Sequence, residues 1–137
     1  MALTWTSSPP LPLAAERLIA HQVLRSAVTW LRAYFAAAVG KGRLPAPPPL
    51  APHGTAFQKA VWHRLRRIPF GQTLSYGQVA QAIGSPGAAR GVGQACGANP
   101  LPIFIPCHRV LAASGRIGGF SAGLAKKQWL LAHEGWG

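Results

Sequence analysis

Residues 44–52 read LPAPPPLAP, with five prolines in nine positions. No other feature restricts the fold of this chain so strongly. Each proline locks its own φ and removes a backbone donor, so the run enters neither a helix interior nor a paired central strand. It reads as a stiff, extended linker. The chain is therefore expected to divide into a short N-terminal segment, residues 1–54, and a domain, residues 55–137. Across the whole sequence there are 13 Pro and 16 Gly, while 49% of residues are hydrophobic. That combination describes a real core broken up by many turns.

Ahead of the linker, residues 1–13 are rich in Pro and Ser, and at most residues 2–6 read as a strand. Residues 14–39 have a helical pattern: Leu24, Val28, Leu31 and Phe35 recur at i, i+4, i+7 and i+11 as one apolar stripe. Gly40 and Gly42 end it. After the linker, Thr55 is an expected N-cap for a helix over 56–68 with Phe57, Val61, Leu65 and Ile68 inward. Ser75 caps a short helix through Ile83. The turn Gly84-Ser85-Pro86-Gly87 leads into another helix over 88–96. Helix, glycine-containing turn and helix outline a helix-turn-helix. Residues 101–105 read as a short buried extended segment, residues 115–122 as a glycine-rich loop, and residues 124–134 as a last helix stopped by Gly135.

The second helix of that outline is unusual: Ala88, Ala89, Arg90, Gly91, Val92, Gly93, Gln94, Ala95. A major-groove reader presents several long polar side chains. This helix offers one charge and many small residues. Two readings stand: close backbone approach to a narrow surface such as a minor groove, or tight helix packing in a core.

Charge narrows the function. The chain has 14 Lys and Arg against 2 acids, a formal net charge of +12. Polyanions are the expected partners, nucleic acid or an anionic membrane surface first among them. The two acids, Glu16 and Glu134, cannot furnish a carboxylate-rich Mg or Ca site. Two cysteines, Cys96 and Cys107, make no disulfide framework, and their spacing to the scattered histidines fits no structural zinc site. Residues 115–122 match neither a P-loop nor a dinucleotide fingerprint. The N-terminus lacks a signal-peptide pattern, and the longest uncharged stretch is broken by prolines. The expectation is a soluble cytoplasmic protein with reduced thiols and no metal.

Cys107-His108-Arg109 places a thiol, an imidazole and a guanidinium together. A thiol is a nucleophile only as thiolate, and a neighbouring base or cation promotes that form. A buried, inert cysteine is the plain alternative. Glu134 closes the last helix, where the helix dipole disfavours an anion, so a specific partner is expected. That partner is a histidine it orients, or a lysine or arginine such as Lys127 at the surface. Tyr76 offers a hydroxyl to a reacting group or a phosphate, or simply completes a core ring.

The segment IPCHRV, residues 105–110, resembles the active-site signature of O6-alkylguanine-DNA alkyltransferases, the methylated-DNA–protein-cysteine methyltransferases. The flanking text is similar in order and spacing: FQKAVWHRLRRIPFGQTLSYGQVA, AARGVGQA, NPLPIFIPCHRV and GGFSAGLAKKQWLLAHEG. The resemblance is strong over residues 55–135. WLRAYF, residues 30–35, is similar to the helix that precedes that domain. The resemblance implies a mainly α fold with a little β, a helix-turn-helix (winged-helix-like) catalytic domain after a long helix and Pro-rich linker. The implied activity is direct-reversal DNA repair by a monomer without a cofactor. The protein would bind duplex DNA in the minor groove and flip out O6-alkylguanine, with O4-alkylthymine a second candidate. It would then move the alkyl group irreversibly to its own cysteine.

The resemblance also implies residue roles. Cys107 is the nucleophile, His108 accepts its proton through a water, and Glu134 orients His108. Asn99 braces the turn beside the site. Tyr76 contacts phosphate and donates to the guanine ring. Arg90 replaces the flipped base in the stack, with Ala89 and Gln94 beside it on the DNA-binding helix. Backbone at Cys107, Val110 and Ser121 reads the guanine edge, and Pro102, Phe120 and Ala122 line or border the alkyl pocket. Family members usually carry a larger N-terminal α/β domain, so a lost or shortened sheet is expected here. A basic residue of some members is replaced at Gly97 or Ala98, and Ala122 stands where glycine is common. The alternative function is a non-catalytic alkyltransferase-like module that recognises alkylated DNA, which Cys107 argues against. A third is an inactive remnant.

Overall fold

The computed structural model describes residues 13–37, 44–118 and 123–136. The expected strand at 2–6 lies outside them. The chain forms two compact units. In the first, helix α1 (Leu13–Ala36) buries Trp30 and Tyr34, whose rings stack at 5.7 Å. Trp30 Nε1 donates to the Pro45 carbonyl at 3.1 Å, which ties the proline run to the helix. The apolar stripe is not the buried face of α1: Leu24, Val28 and Phe35 are exposed. On a 3.6-residue helix Trp30 and Tyr34 lie about a quarter-turn or more away from that stripe, and the aromatic pair takes the buried face.

The second unit holds the remaining elements: α2 (Ala56–Leu65), β1 (Leu74–Ser75), α3 (Tyr76–Ala82), α4 (Ala89–Gly97), β2 (Val110–Leu111) and α5 (Leu124–His133). The expected class, mainly α with a little β, is what the chain adopts. Thr55 and Gln58 form a capping box at the start of α2, and Ser75 and Gln78 form another at α3. Each satisfies two backbone donors that the first helical turn leaves unpaired. The α2 helix stops at Leu65, earlier than expected. Residues 66–68 continue as a tightened turn, with Arg67 N–H donating to Arg64 and Ile68 N–H to Leu65. The last helix ends in a Schellman pair: Gly135 N–H donates to Ala132 and Trp136 N–H to Leu131. Gly135 supplies the positive φ of 91° that this ending needs.

One core joins α2, α3, α4 and the segment before β2. Val61, Trp62 and Leu65 from α2 meet Val79 and Ala80 from α3, Val92, Ala95 and Cys96 from α4, and Ile105, Cys107 and Val110. Burying each large apolar side chain contributes roughly 1.5–3 kcal/mol. Trp62 also fixes a direction, because its indole N–H donates to the Ala95 carbonyl at 2.8 Å and so pins α4 on α2. The small residues of α4 bear out tight packing at one position. A Cβ on Gly91 would sit 3.2 Å from the Phe57 ring, so this glycine permits tight packing. Gly87 and Gly97 have open space where a Cβ would go, and Arg90 and Gln94 are exposed.

β1 and β2 pair in parallel, Leu74 opposite Val110 and Ser75 opposite Leu111. This two-rung ladder fixes the site. It brings the start of α3, with Tyr76, alongside the chain that has just left the cysteine turn.

Candidate active site

Cys107, His108 and Arg109 form a single 3-10 turn between Pro106 and β2, and all three are buried. The turn that leads into it is strained. Ile103 has φ 75°, the sole positive value on a non-glycine among the described residues. For a β-branched residue that costs on the order of 1–3 kcal/mol. Asn99 holds the turn closed: its Nδ2 donates to the Ile105 carbonyl at 2.8 Å, and its Oδ1 accepts from Leu101 N–H at 2.9 Å. The expected straight segment at 101–105 is thus a braced turn. Two side-chain bonds there outweigh the apolar pattern that suggests a strand.

Glu134, the C-cap of α5, reaches back into this turn and is 2% exposed. His108 Nε2 donates to its Oε2. Arg109 donates from Nε to Oε1 at 2.7 Å and from Nη2 to Oε2 at 3.2 Å. Gly71 N–H adds a bond to Oε1 at 3.0 Å. Arg109 Nη1 donates onward to the Ile68 carbonyl at 2.7 Å. Burial alone would raise the Glu134 pKa, but the bonds from His108 and Arg109 outweigh it and bring the carboxyl down to about 2. Glu134 is therefore ionised at neutral pH. An ionised carboxylate accepts only, so the proton between them belongs to His108 Nε2. Burial lowers the His108 pKa, against the pull of Glu134. The resting imidazole is neutral and its Nδ1 is the basic nitrogen. Burial raises the Cys107 pKa, with the Asn99 side chain and the Lys127 ammonium opposing it. The resting thiol keeps its proton.

Lys127 is the neighbour of the site that sequence reasoning misplaces. Pairing with Glu134 at the surface is one expectation for it, but it is fully buried. Its Nζ donates to the Val110 carbonyl at 2.8 Å and lies 5.9 Å from the centre of the Tyr76 ring. Burial lowers its pKa, and the two thiols, Cys107 and Cys96, act against that. A signal exists in the spacing: Lys127, Leu130, Leu131 and Glu134 follow the i, i+3, i+4, i+7 rule, so the lysine belongs to the inward stripe of α5. Arg109 stands out in the sequence for its charge but not as the clamp on Glu134.

The other expected site residues are spread more widely. Tyr76 is half-buried at the start of α3, and burial raises its hydroxyl pKa. A Cβ on Gly118 would come within 3.2 Å of the Tyr76 hydroxyl, so that loop passes close over it. Val110 N–H is bonded to the Cys107 carbonyl, and its own carbonyl takes the Lys127 bond and keeps a second lone pair. Pro102 is half-buried in the braced turn. Ala89, Arg90 and Gln94 lie on α4. Phe120, Ser121 and Ala122 lie outside the described residues. Both cysteines are free thiols. Cys96 is buried and its pKa is pushed up to about 12, chiefly by burial.

These features define a helix-turn-helix domain that keeps a thiol, an imidazole and a carboxylate in its core. Residues 56–136 match the model of the 6-O-methylguanine DNA methyltransferase DNA-binding domain, and the chain belongs to that family. A methylated-DNA–protein-cysteine methyltransferase of Shigella flexneri is 52% identical over 88 residues, 64% of this chain and 52% of that protein. The chain thus spans about half the length of the first curated relatives it matches. The crystal structure of Mycobacterium tuberculosis OGT in complex with DNA is similar at a TM-score of 0.68 and 46% identity, over 80% of this chain and 66% of that one. The structure of S. pombe Atl1 in complex with damaged DNA containing O6-carboxymethylguanine has a TM-score of 0.53 at 34% identity, over 58% of this chain and 75% of that one.

Proposed function

We propose that this chain repairs DNA by direct reversal, taking the alkyl group of O6-alkylguanine onto Cys107. The observation that carries the reading is the buried His108–Glu134 pair, with Cys107 beside it in the same 3-10 turn, inside a domain whose α4 presents Arg90 outward. Glu134 holds the proton on His108 Nε2, so Nδ1 is the atom that takes the Cys107 proton, through a water as in the family. The thiolate then attacks the alkyl carbon. An S–C bond forms, the C–O6 bond breaks, and its electron pair stays with the departing guanine. Tyr76 gives that guanine a proton as charge builds on it. A soft sulfur nucleophile suits displacement at an sp3 carbon, and the thioether product has no route back, so each molecule acts once. The base reaches the thiol by flipping out of the minor-groove side, a step costing a few kcal/mol, with Arg90 filling the gap it leaves.

Intact-mass measurement after incubation with an oligonucleotide containing O6-methylguanine tests this reading. The expected result is one added methyl per molecule, absent in Cys107→Ala. Specific binding of that oligonucleotide without a mass change would replace the reading with a recognition module. Neither binding nor a mass change would leave an inactive remnant.

A further inference from the structure

Away from Cys107, α2 carries a second feature that the relay does not use. Lys59, His63 and Arg66 follow one another at i, i+4 and i+7 on its outer side, opposite the buried Val61 and Leu65. They line an open cavity of about 410 Å³ together with Trp62 and, across from them, Leu50, Ala51, Pro52 and His53. None of these residues is acidic. Of the two acids in the chain, Glu134 is enclosed by His108 and Arg109. The walls are firmly held. A Cβ on Gly54 would come 2.7 Å from the Trp62 ring, so the backbone there lies directly on the indole, and the indole is bonded to Ala95. The cavity combines an exposed cationic edge with an apolar wall of Leu50, Ala51 and Pro52.

We infer that this cleft is a second nucleic-acid contact, in which Lys59 and Arg66 bind two phosphates of one DNA strand while the apolar wall takes its sugars. The inference rests on the DNA-binding reading above and adds a second place where DNA is held. Charge complementarity supports it, and so does length. Lys59 and Arg66 are seven residues apart, about 10 Å along a helix axis. A lone phosphate ion cannot sit against both ends of such a row, whereas a phosphodiester backbone runs along it.

The test is equilibrium binding of an undamaged duplex to the whole chain over a range of salt concentrations. The variants are Lys59→Ala with Arg66→Ala, and, as a control of equal charge change, Arg17→Ala with Arg25→Ala on α1. Thermal melting of each variant confirms that it is folded. For the cleft variant the slope of log affinity against log salt should fall by about 2, and affinity should drop by at least tenfold at low salt. The control should lose clearly less. Equal losses in both variants, or no loss in the cleft variant, would overturn the inference while leaving wild-type DNA binding intact. A wild-type chain that binds no duplex would overturn this inference and the reading it rests on. Titration of the wild type with inorganic phosphate and with a mononucleotide, followed by Trp fluorescence, separates the sources. Saturation by either small ligand, lost in the cleft variant while its DNA slope is unchanged, would assign the cleft to a small phosphate compound and sink the DNA contact.

Discussion

Glu134 accepts four hydrogen bonds, from His108, Arg109 twice and Gly71. Its removal therefore separates orientation from charge. In Glu134→Gln an amide replaces the carboxylate, and His108 loses the anion that fixes its tautomer and stabilises its protonated form. Alkyl transfer in a single-turnover time course should slow by a factor of about 100 or more, on the scale of general-base catalysis, while affinity for unmodified duplex changes less than threefold. Equal rates would remove Glu134 from the relay. Lys127 makes a second test at this scale. Its ammonium favours the Cys107 thiolate, so Lys127→Met should shift the rise of transfer rate with pH to higher pH. It also leaves the Val110 carbonyl without this donor, at a stability cost of about 1–3 kcal/mol. An unshifted pH profile in a folded variant would show that the lysine acts only as a structural tie.

At the scale of elements, the two capping boxes do more than begin helices. The box at Ser75 sets the first turn of α3, and Tyr76 is the first residue of that turn. Ser75→Ala should cost about 1 kcal/mol, lowering the thermal midpoint by roughly 4–8 °C for a domain of this size. It should also slow transfer, because Tyr76 loses its fixed approach. A lowered midpoint with an unchanged rate would separate the cap from the site. Thr55 and Ser75 are legible as caps in the sequence, because capping is a local rule of residue type and spacing; Gln58 and Gln78 complete the boxes in the structure. The helix-turn-helix is legible for the same reason. The braced turn at 101–105 is not legible in residue pattern alone, since its shape depends on Asn99 bonding across to Ile105; the brace itself is what the family resemblance implies. The α1 stripe misleads because periodicity marks an apolar face without saying which face is covered.

For the whole molecule, the buried ionisable groups make stability depend on acidity. Folding lowers the His108 pKa, so the unfolded chain takes up protons first as pH falls below about 6.5. The stability that His108 contributes is complete above that value and is lost as pH falls through its lower folded value. Glu134 goes from an ordinary 4.5 to about 2, so its contribution is present above 4.5 and is lost on the way down to about 2. The urea midpoint should therefore decline below about pH 6.5 and decline further below about 4.5, with the lower branch missing in Glu134→Gln. A midpoint that stays level from about pH 7 to 4 would contradict this. Relations of this range are where sequence reading is weakest. The pairing of His108 with Glu134 comes from resemblance to a family, while the residues alone leave a surface carboxylate open. Lys127 is a different case, since its place on the inward stripe is written in its spacing.

The two-rung pairing of β1 with β2 has a consequence for how the molecule can be assayed. Tyr76 and the cysteine turn are distant in sequence and meet through that ladder, with α4 lying between them in the chain. A fragment that lacks either strand cannot assemble the site. If the proposed one-time transfer is correct, the fraction of a sample that takes up label at Cys107 is a census of its native molecules, readable without any spectroscopic signal for folding.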